Sequence, residues 1–337
     1  MKASTGLVGL LCGLAATLLF LSGPTGGLAA TFLLYLSPLP VFVAGLGWGS
    51  PAAAIAAGFG TMLATVAMGI PGGLLFMAMP GAVPYWMVHK ALLNRPIGEV
   101  EGDEGGAGSD EIEWYPPGFL IAWAAGLTAS LLLIADIAMR ASGVSGGMMS
   151  AVHVVVQALF ESQPEFTQLF ESPDTGVTSA DIVNIVAAMM PAVAGVIWSL
   201  TLVGTLWLAQ SMLTRSGRNQ RPWAPFKWFE LPPQLTWALI AAAVVSLVPT
   251  SFAAIAGTLA VVLLTPFFLL GVAVIHVISA PWTLRPLWLG LFYFLLVLTG
   301  WIAIPVAILG LVETRLHLRF RAHAAGIDKG GRSDDNA

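Results

Sequence analysis

The chain has 337 residues, 57% hydrophobic and only 9% charged, with a mean hydropathy of +0.84. Soluble domains carry about 25% charge, so a water-soluble globule is excluded. The net charge of −4 sits in local clusters and builds no basic face for nucleic acid, and the single cysteine, Cys12, excludes a disulfide framework.

Charge-free stretches give the layout. No Lys, Arg, Asp or Glu occurs between Ala3 and His89, nor within Trp114–Ala135, Ile182–Thr214, Leu231–Leu284 or Pro286–Val312. A helix crosses the hydrocarbon core in roughly 20 apolar residues, so the first and fourth stretches each hold more than one crossing. Apolar segments fall at 6–21, 28–47, 52–70, 73–93, 118–139, 182–213, 234–249, 254–279 and 287–312. The expected fold class is all-α: a polytopic transmembrane helical bundle with eight or nine apolar segments in one domain, residues 1–321.

The first segment has two readings. Lys2, a short apolar run and Leu28-Ala29-Ala30 fit a cleavable signal peptide. The apolar pattern resumes at once, which favours a retained helix. Prolines inside segments, at Pro38, Pro40, Pro80, Pro84, Pro191 and Pro266, predict kinked or broken helices.

Between the segments lie polar stretches. Residues 94–117 carry seven acidic side chains among glycines and read as an acidic cytoplasmic loop with no core of its own. Residues 140–181 form an outer loop. Within it Val152, Val155, Val156, Leu159, Phe160, Phe166, Leu169 and Phe170 recur near helical spacing, an amphipathic helix interrupted near Pro164. Residues 214–232 are a basic-aromatic cytoplasmic loop. The polar tail, 322–337, reads as disordered and cytoplasmic. Lys and Arg stay cytoplasmic, which places Lys90, Arg95, Arg215, Arg218, Arg221 and Lys227 on one side. The C-terminal basic residues Arg315, Arg319, Arg321, Lys329 and Arg332 should share that side, yet three crossings after Lys227 would put them on the other. One late segment is therefore expected to be re-entrant, and 234–249 is the shortest.

Ionisable groups within a membrane segment are costly and often functional. Asp136 and Arg140, at i,i+4 spacing, share one helical face at the end of the fifth segment. The simpler reading is an interfacial ion pair that ends the helix; the sharper one is a ligand contact at the outer mouth. Asn184 and Gln210 are lone amides in the sixth segment, suited to joining helices, with a ligand contact the alternative for Asn184. Asp136, Arg140 and Asn184 are thus the candidate ligand-binding residues. Gly9 and Gly13 form a GxxxG spacing that brings helices close, by default inside the protein and otherwise against a partner subunit. With Arg218, Arg221 and Lys227, whose loop suits anionic headgroups or a protein groove, they are the candidate partner-docking residues. His276 reads as an interfacial hydrogen-bonding group, with proton shuttling the alternative.

Catalytic patterns are missing: no phosphate loop, no H-E-x-x-H, no G-x-S-x-G. No histidine pair shares a helix face at metal-ligand spacing. No catalytic residue, metal site or cofactor is expected, and any active transport would need a separate motor.

Three segments recur in order: LYLSPLPVFVAGLGWG at Leu34–Gly49, PFKWFELPPQLTW at Pro225–Trp237, and GLVETRLHLRFR at Gly310–Arg321. Together they resemble the YybS-like family of uncharacterised bacterial membrane proteins, over about residues 28–321. Glu313 stands where members carry an acidic residue after the final Gly-Leu; His317 stands where a second acidic residue is expected. The family is distantly similar to the substrate-capture subunits of energy-coupling-factor transporters and to the rod-shape membrane protein MreD. The first likeness implies an outward-opening small-molecule pocket and a helix face for a coupling subunit. The second implies a scaffold in cell-envelope assembly. Both imply a multi-pass protein of the bacterial inner membrane. The expected function is non-enzymatic small-molecule binding or transport, with a membrane scaffold or assembly partner as the alternative.

Overall fold

A computed structural model describes residues 3–96, 112–162, 178–222 and 228–321. Residues 97–111, the region near Pro164, Lys227 and the tail 322–337 lie outside the described residues. The described chain is almost wholly helical and divides into two compact units. Unit 1 holds residues 1–124 and 200–225; unit 2 holds 125–199 and 226–337.

Unit 1 contains α1 (Ala3–Leu21), α2 (Gly27–Tyr35), α3 (Leu39–Trp48), α4 (Ser50–Phe76) and α5 (Ala82–Ala91). Proline and glycine set the joints. α2 and α3 are separated at Ser37-Pro38, where the residue before proline is disfavoured in a helix. α4 is broken at Gly69, whose φ of 73° and ψ of −176° are non-helical. There the chain doubles back: Thr61 donates to the Met77 sulfur, and Gly60 lies against the Phe76 ring. Gly73 abuts Thr65 and Gly81 faces Ala57. These pairs sum to a nearly constant number, so the two arms run antiparallel as a helical hairpin. A π-turn at Met77–Gly81 absorbs Pro80 before α5 begins.

α1 lies parallel to the first arm of α4. A Cβ on Gly9 would stand 2.9 Å from the Ala52 carbonyl, and one on Gly13 2.7 Å from that of Ala56. Thr17 closes the row by donating to the Gly60 carbonyl at 3.2 Å. The GxxxG face is therefore taken up by close packing inside unit 1, and α4 occupies the space a partner helix would need. This corrects the docking assignment of Gly9 and Gly13.

Of the 94–117 stretch, residues 94–96 and 112–117 are described. Its ends pair as a two-stranded antiparallel ribbon, Asn94–Pro96 with Ile112–Trp114. Arg95 and Glu113 meet across it at 2.5 Å on the surface.

Two helices belong to both units: α6 (Pro117–Ala141) and α8 (Ser179–Arg215). Unit 2 adds α7 (Gly147–Ser162), α9 (Pro233–Leu247), α10 (Ala253–Leu263), α11 (Thr265–Ile278), α12 (Arg285–Thr299) and α13 (Ala303–Leu316). α7 buries part of the apolar set that its spacing marks out. Val156 and Phe160 pack on Val183 and Ala187 of α8, while Val154, Val155 and Leu159 remain exposed. α9 and α10 form a hairpin in which Ser246 meets Gly257. α10 and α11 make one run broken at Leu264, just ahead of Thr265-Pro266.

α11 and α13 run antiparallel with their backbones in contact. Gly271 seats on the Val306 carbonyl and Gly310 on that of Phe267, with no room for a Cβ at either. The segment read as 287–312 is two helices. Gly300, at φ 65°, ends α12, and α13 leaves at 119° to it. Beyond α13, His317 takes a left-handed conformation (φ 51°) and turns the chain back. The turn brings Arg319 onto Glu313 at 2.7 Å, both 2% exposed, and the Glu313 carboxylate also accepts from the Leu318 N–H. Arg319 then donates to the Phe229 carbonyl at 3.0 Å. The chain thus leaves Phe229 and closes on it again 90 residues later. α9, at Pro233–Leu247, and the bent α12–α13 pair are the two late elements that depart from a single full-length span.

Among the described residues, six helical runs are long and apolar enough to cross a membrane, or seven if the bent α12–α13 pair is one span; α9 is a shorter apolar helix. One of the six, Ser50–Ala91, is the folded hairpin at Gly69.

Candidate functional site

Asp136 and Arg140 sit in the last turns of α6. Their i,i+4 spacing puts them on one face, and Arg140 Nε donates to Asp136 Oδ2 at 2.7 Å. Asp136 is wholly buried. An isolated carboxylate would be strongly disfavoured there, and two further bonds explain it. The Met148 N–H at the start of α7 donates to Oδ1 at 2.8 Å, and Arg140 Nη2 reaches the same oxygen at 3.5 Å. Gly147 makes the approach possible: at φ 65° it comes so near that a Cβ would strike the carboxylate. Arg140 Nη2 also donates to the carbonyls of Ser251 (2.9 Å) and Gly146 (3.3 Å). Its guanidinium lies 4.7 Å from the Phe252 ring centroid. One ion pair therefore ties the end of α6 to the start of α7 and to the α9–α10 turn. Arg140 Nη1 makes no hydrogen bond among the described residues.

A lateral groove of about 540 Å³ begins at this tie. α6 presents Gly126, Ala129, Ser130 and Leu133 to it; α9 presents Ala238, Ala241, Ala242 and Val245; α10 presents Ile255, Ala256, Leu259 and Leu263, with Phe252 at the end. Each set recurs at three- and four-residue steps, one stripe per helix. Small residues on α6 and α9 make the hollow. The Ser130 hydroxyl donates to the Gly126 carbonyl, and the rest of the lining side chains are apolar.

Asn184 lies elsewhere in unit 2. Its Oδ1 accepts from His153 Nε2 at 2.9 Å across α7 and α8. The two residues line an open cleft of about 300 Å³ with Gln157, Glu161 and Ser179 over a floor of Phe160 and Val183. The structure thus joins Asp136 to Arg140 and gives Asn184 to a separate polar cleft.

The basic loops of unit 1 meet through Arg221. Nearly buried, it donates from Nη1 to the Ala91 carbonyl (3.3 Å) and from Nη2 to that of Tyr115 (2.8 Å). Burial pulls its guanidinium below the ordinary arginine range. Its own carbonyl accepts from Gln210 at 2.9 Å, which gives that lone amide its role. Arg221 is therefore a brace rather than an exposed docking residue. Arg218 lies 5.4 Å from the Trp48 ring, and Lys90 4.8 Å from that of Trp86. His276 joins α11 to α12: Nδ1 donates to the Val272 carbonyl, so Nε2 accepts from the Tyr293 hydroxyl at 3.4 Å.

Sequence reasoning missed Arg319 as a buried partner and counted it with the tail charges. The Glu313 position in the end motif was the available signal.

These features define a polytopic helical membrane protein. Residues 14–314 match the family model described as Predicted membrane protein (DUF2232), and the chain belongs to that family. No curated protein and no solved structure matches the chain.

Proposed function

We propose that the protein is a non-enzymatic binding component of the bacterial inner membrane, one that holds a small amphipathic molecule in unit 2. The observation that carries this reading is the apolar groove between α6, α9 and α10, ending at Phe252, against whose ring the Arg140 guanidinium lies. Ligand sites combine apolar walls with a few placed polar groups, and this groove has that composition. The Asp136–Arg140 pair holds the polar group in place, so the candidate residues act as positioner and contact respectively. Asn184 contributes through the polar cleft with His153, where α7 covers the end of α8. The likeness to substrate-capture subunits points the same way; any active transport would draw on a separate motor protein.

A scaffold role is the second reading. It is favoured by the basic end of unit 1, where Arg218 and Lys90 lie over tryptophan rings. Native mass spectrometry of the protein gently extracted from its own membrane separates the two. Binding predicts a retained small molecule of defined mass that survives Arg218→Ala. A protein partner that is lost with Arg218→Ala, and no small molecule, would favour the scaffold.

A further inference from the structure

We propose that the occupant of the groove is an anionic, phosphate-bearing membrane lipid, one acyl chain in the groove and the headgroup on Arg140; this rests on the binding reading above. Three features of the site argue for it. The first is length. From Phe252 to Leu263 the groove follows eleven residues of helix, about 16 Å. That is close to one leaflet of a hydrocarbon core about 30 Å thick. The second is lining: apart from Ser130, whose hydrogen is given to the Gly126 carbonyl, the side chains are apolar, which suits an alkyl chain.

The third is charge. Arg140 lies in the last turn of a membrane-spanning helix, where headgroups sit. Asp136 is wholly buried while the Arg140 side chain keeps 19% exposure, so the accessible part of the pair is the arginine, with Nη1 lacking a hydrogen bond among the described residues. The α10 N-terminus opens beside it with no side-chain cap on its N–H groups, adding positive potential of the same sign. A phosphate oxygen placed there gains a charge-assisted hydrogen bond. A zwitterionic headgroup gains less, because its cation must lie near the same positive groups.

The test uses full-length protein reconstituted in nanodiscs of equal phosphatidylcholine and phosphatidylglycerol, released into mild detergent and weighed by native mass spectrometry. Wild type is expected to retain one phosphatidylglycerol in preference to phosphatidylcholine. Ala241→Phe, which fills the groove from an exposed α9 position, should lower retention about tenfold. Arg140→Lys keeps a charge for Asp136 and should weaken the headgroup preference while leaving the chain held. Equal retention of both lipids by wild type, or unchanged retention by Ala241→Phe, would overturn the proposal. If the protein from its own membrane carries a water-soluble molecule instead, the lipid proposal fails and the binding reading stands. If it carries no small molecule at all, the reading itself fails.

Discussion

Removing the Asp136 carboxylate leaves the largely buried Arg140 with no anion and frees the Met148 N–H at the start of α7. Asp136→Ala should therefore destabilise unit 2 by about 3 kcal/mol, read as a lower thermal midpoint in detergent. The Asp136→Asn/Arg140→Gln double variant should recover part of that loss, because it removes both charges together. Arg95→Ala breaks an ion pair on the open surface and should leave the midpoint unchanged. Gly310 makes a second contrast. A methyl there has the Phe267 carbonyl in its place, so Gly310→Ala should cost about 3 kcal/mol. Gly290→Ala on α12 meets nothing within 4 Å and should be neutral. The i,i+4 pair was legible in the sequence because helical periodicity alone brings 136 to 140. Glu313 and Arg319 were not: six residues on one helix point to different faces. Only the left-handed turn at His317, a conformation uncommon outside glycine, brings them together.

At the scale of elements, the breaks were visible as Gly and Pro, but their geometry was not. Gly69 turns a run of 42 helical residues into a hairpin, and its positive φ admits no side chain without strain. Gly69→Val should open that hairpin and lower the yield of monodisperse protein on size exclusion, whereas Gly58→Ala, which meets nothing within 4 Å, should not. The GxxxG spacing announced a close helix contact without saying whose. Close approach needs only small residues, so Gly9 and Gly13 read the same whether the neighbour is α4 or another chain. The 287–312 segment was apolar throughout, and hydropathy carries no record of a bend at Gly300. α12 buries none of its residues, so no packing pattern marked it off from α13.

For the whole molecule, composition alone gave the class: nine charge-poor segments, all helical in the structure, in a protein of a membrane family. Which segments return the chain to the same end depended on one long-range bond, Arg319 to Phe229, that no spacing rule encodes. It leads to a topological prediction. In a Cys12→Ser background, Glu230→Cys and Arg321→Cys should react with an impermeant thiol reagent from the same side of sealed vesicles. Thr250→Cys, in the α9–α10 turn, should react from the other.

The groove is the centre of the functional account, and photo-crosslinking tests it most directly. A photoreactive residue at Leu259, within the groove, is compared with one at Leu287, on the exposed face of α12. The account predicts one adduct of defined mass at Leu259, absent in Ala241→Phe, against a bulk mixture of lipids at Leu287. The same mixture at both positions would contradict it, because the groove would then be no more than bilayer-facing surface.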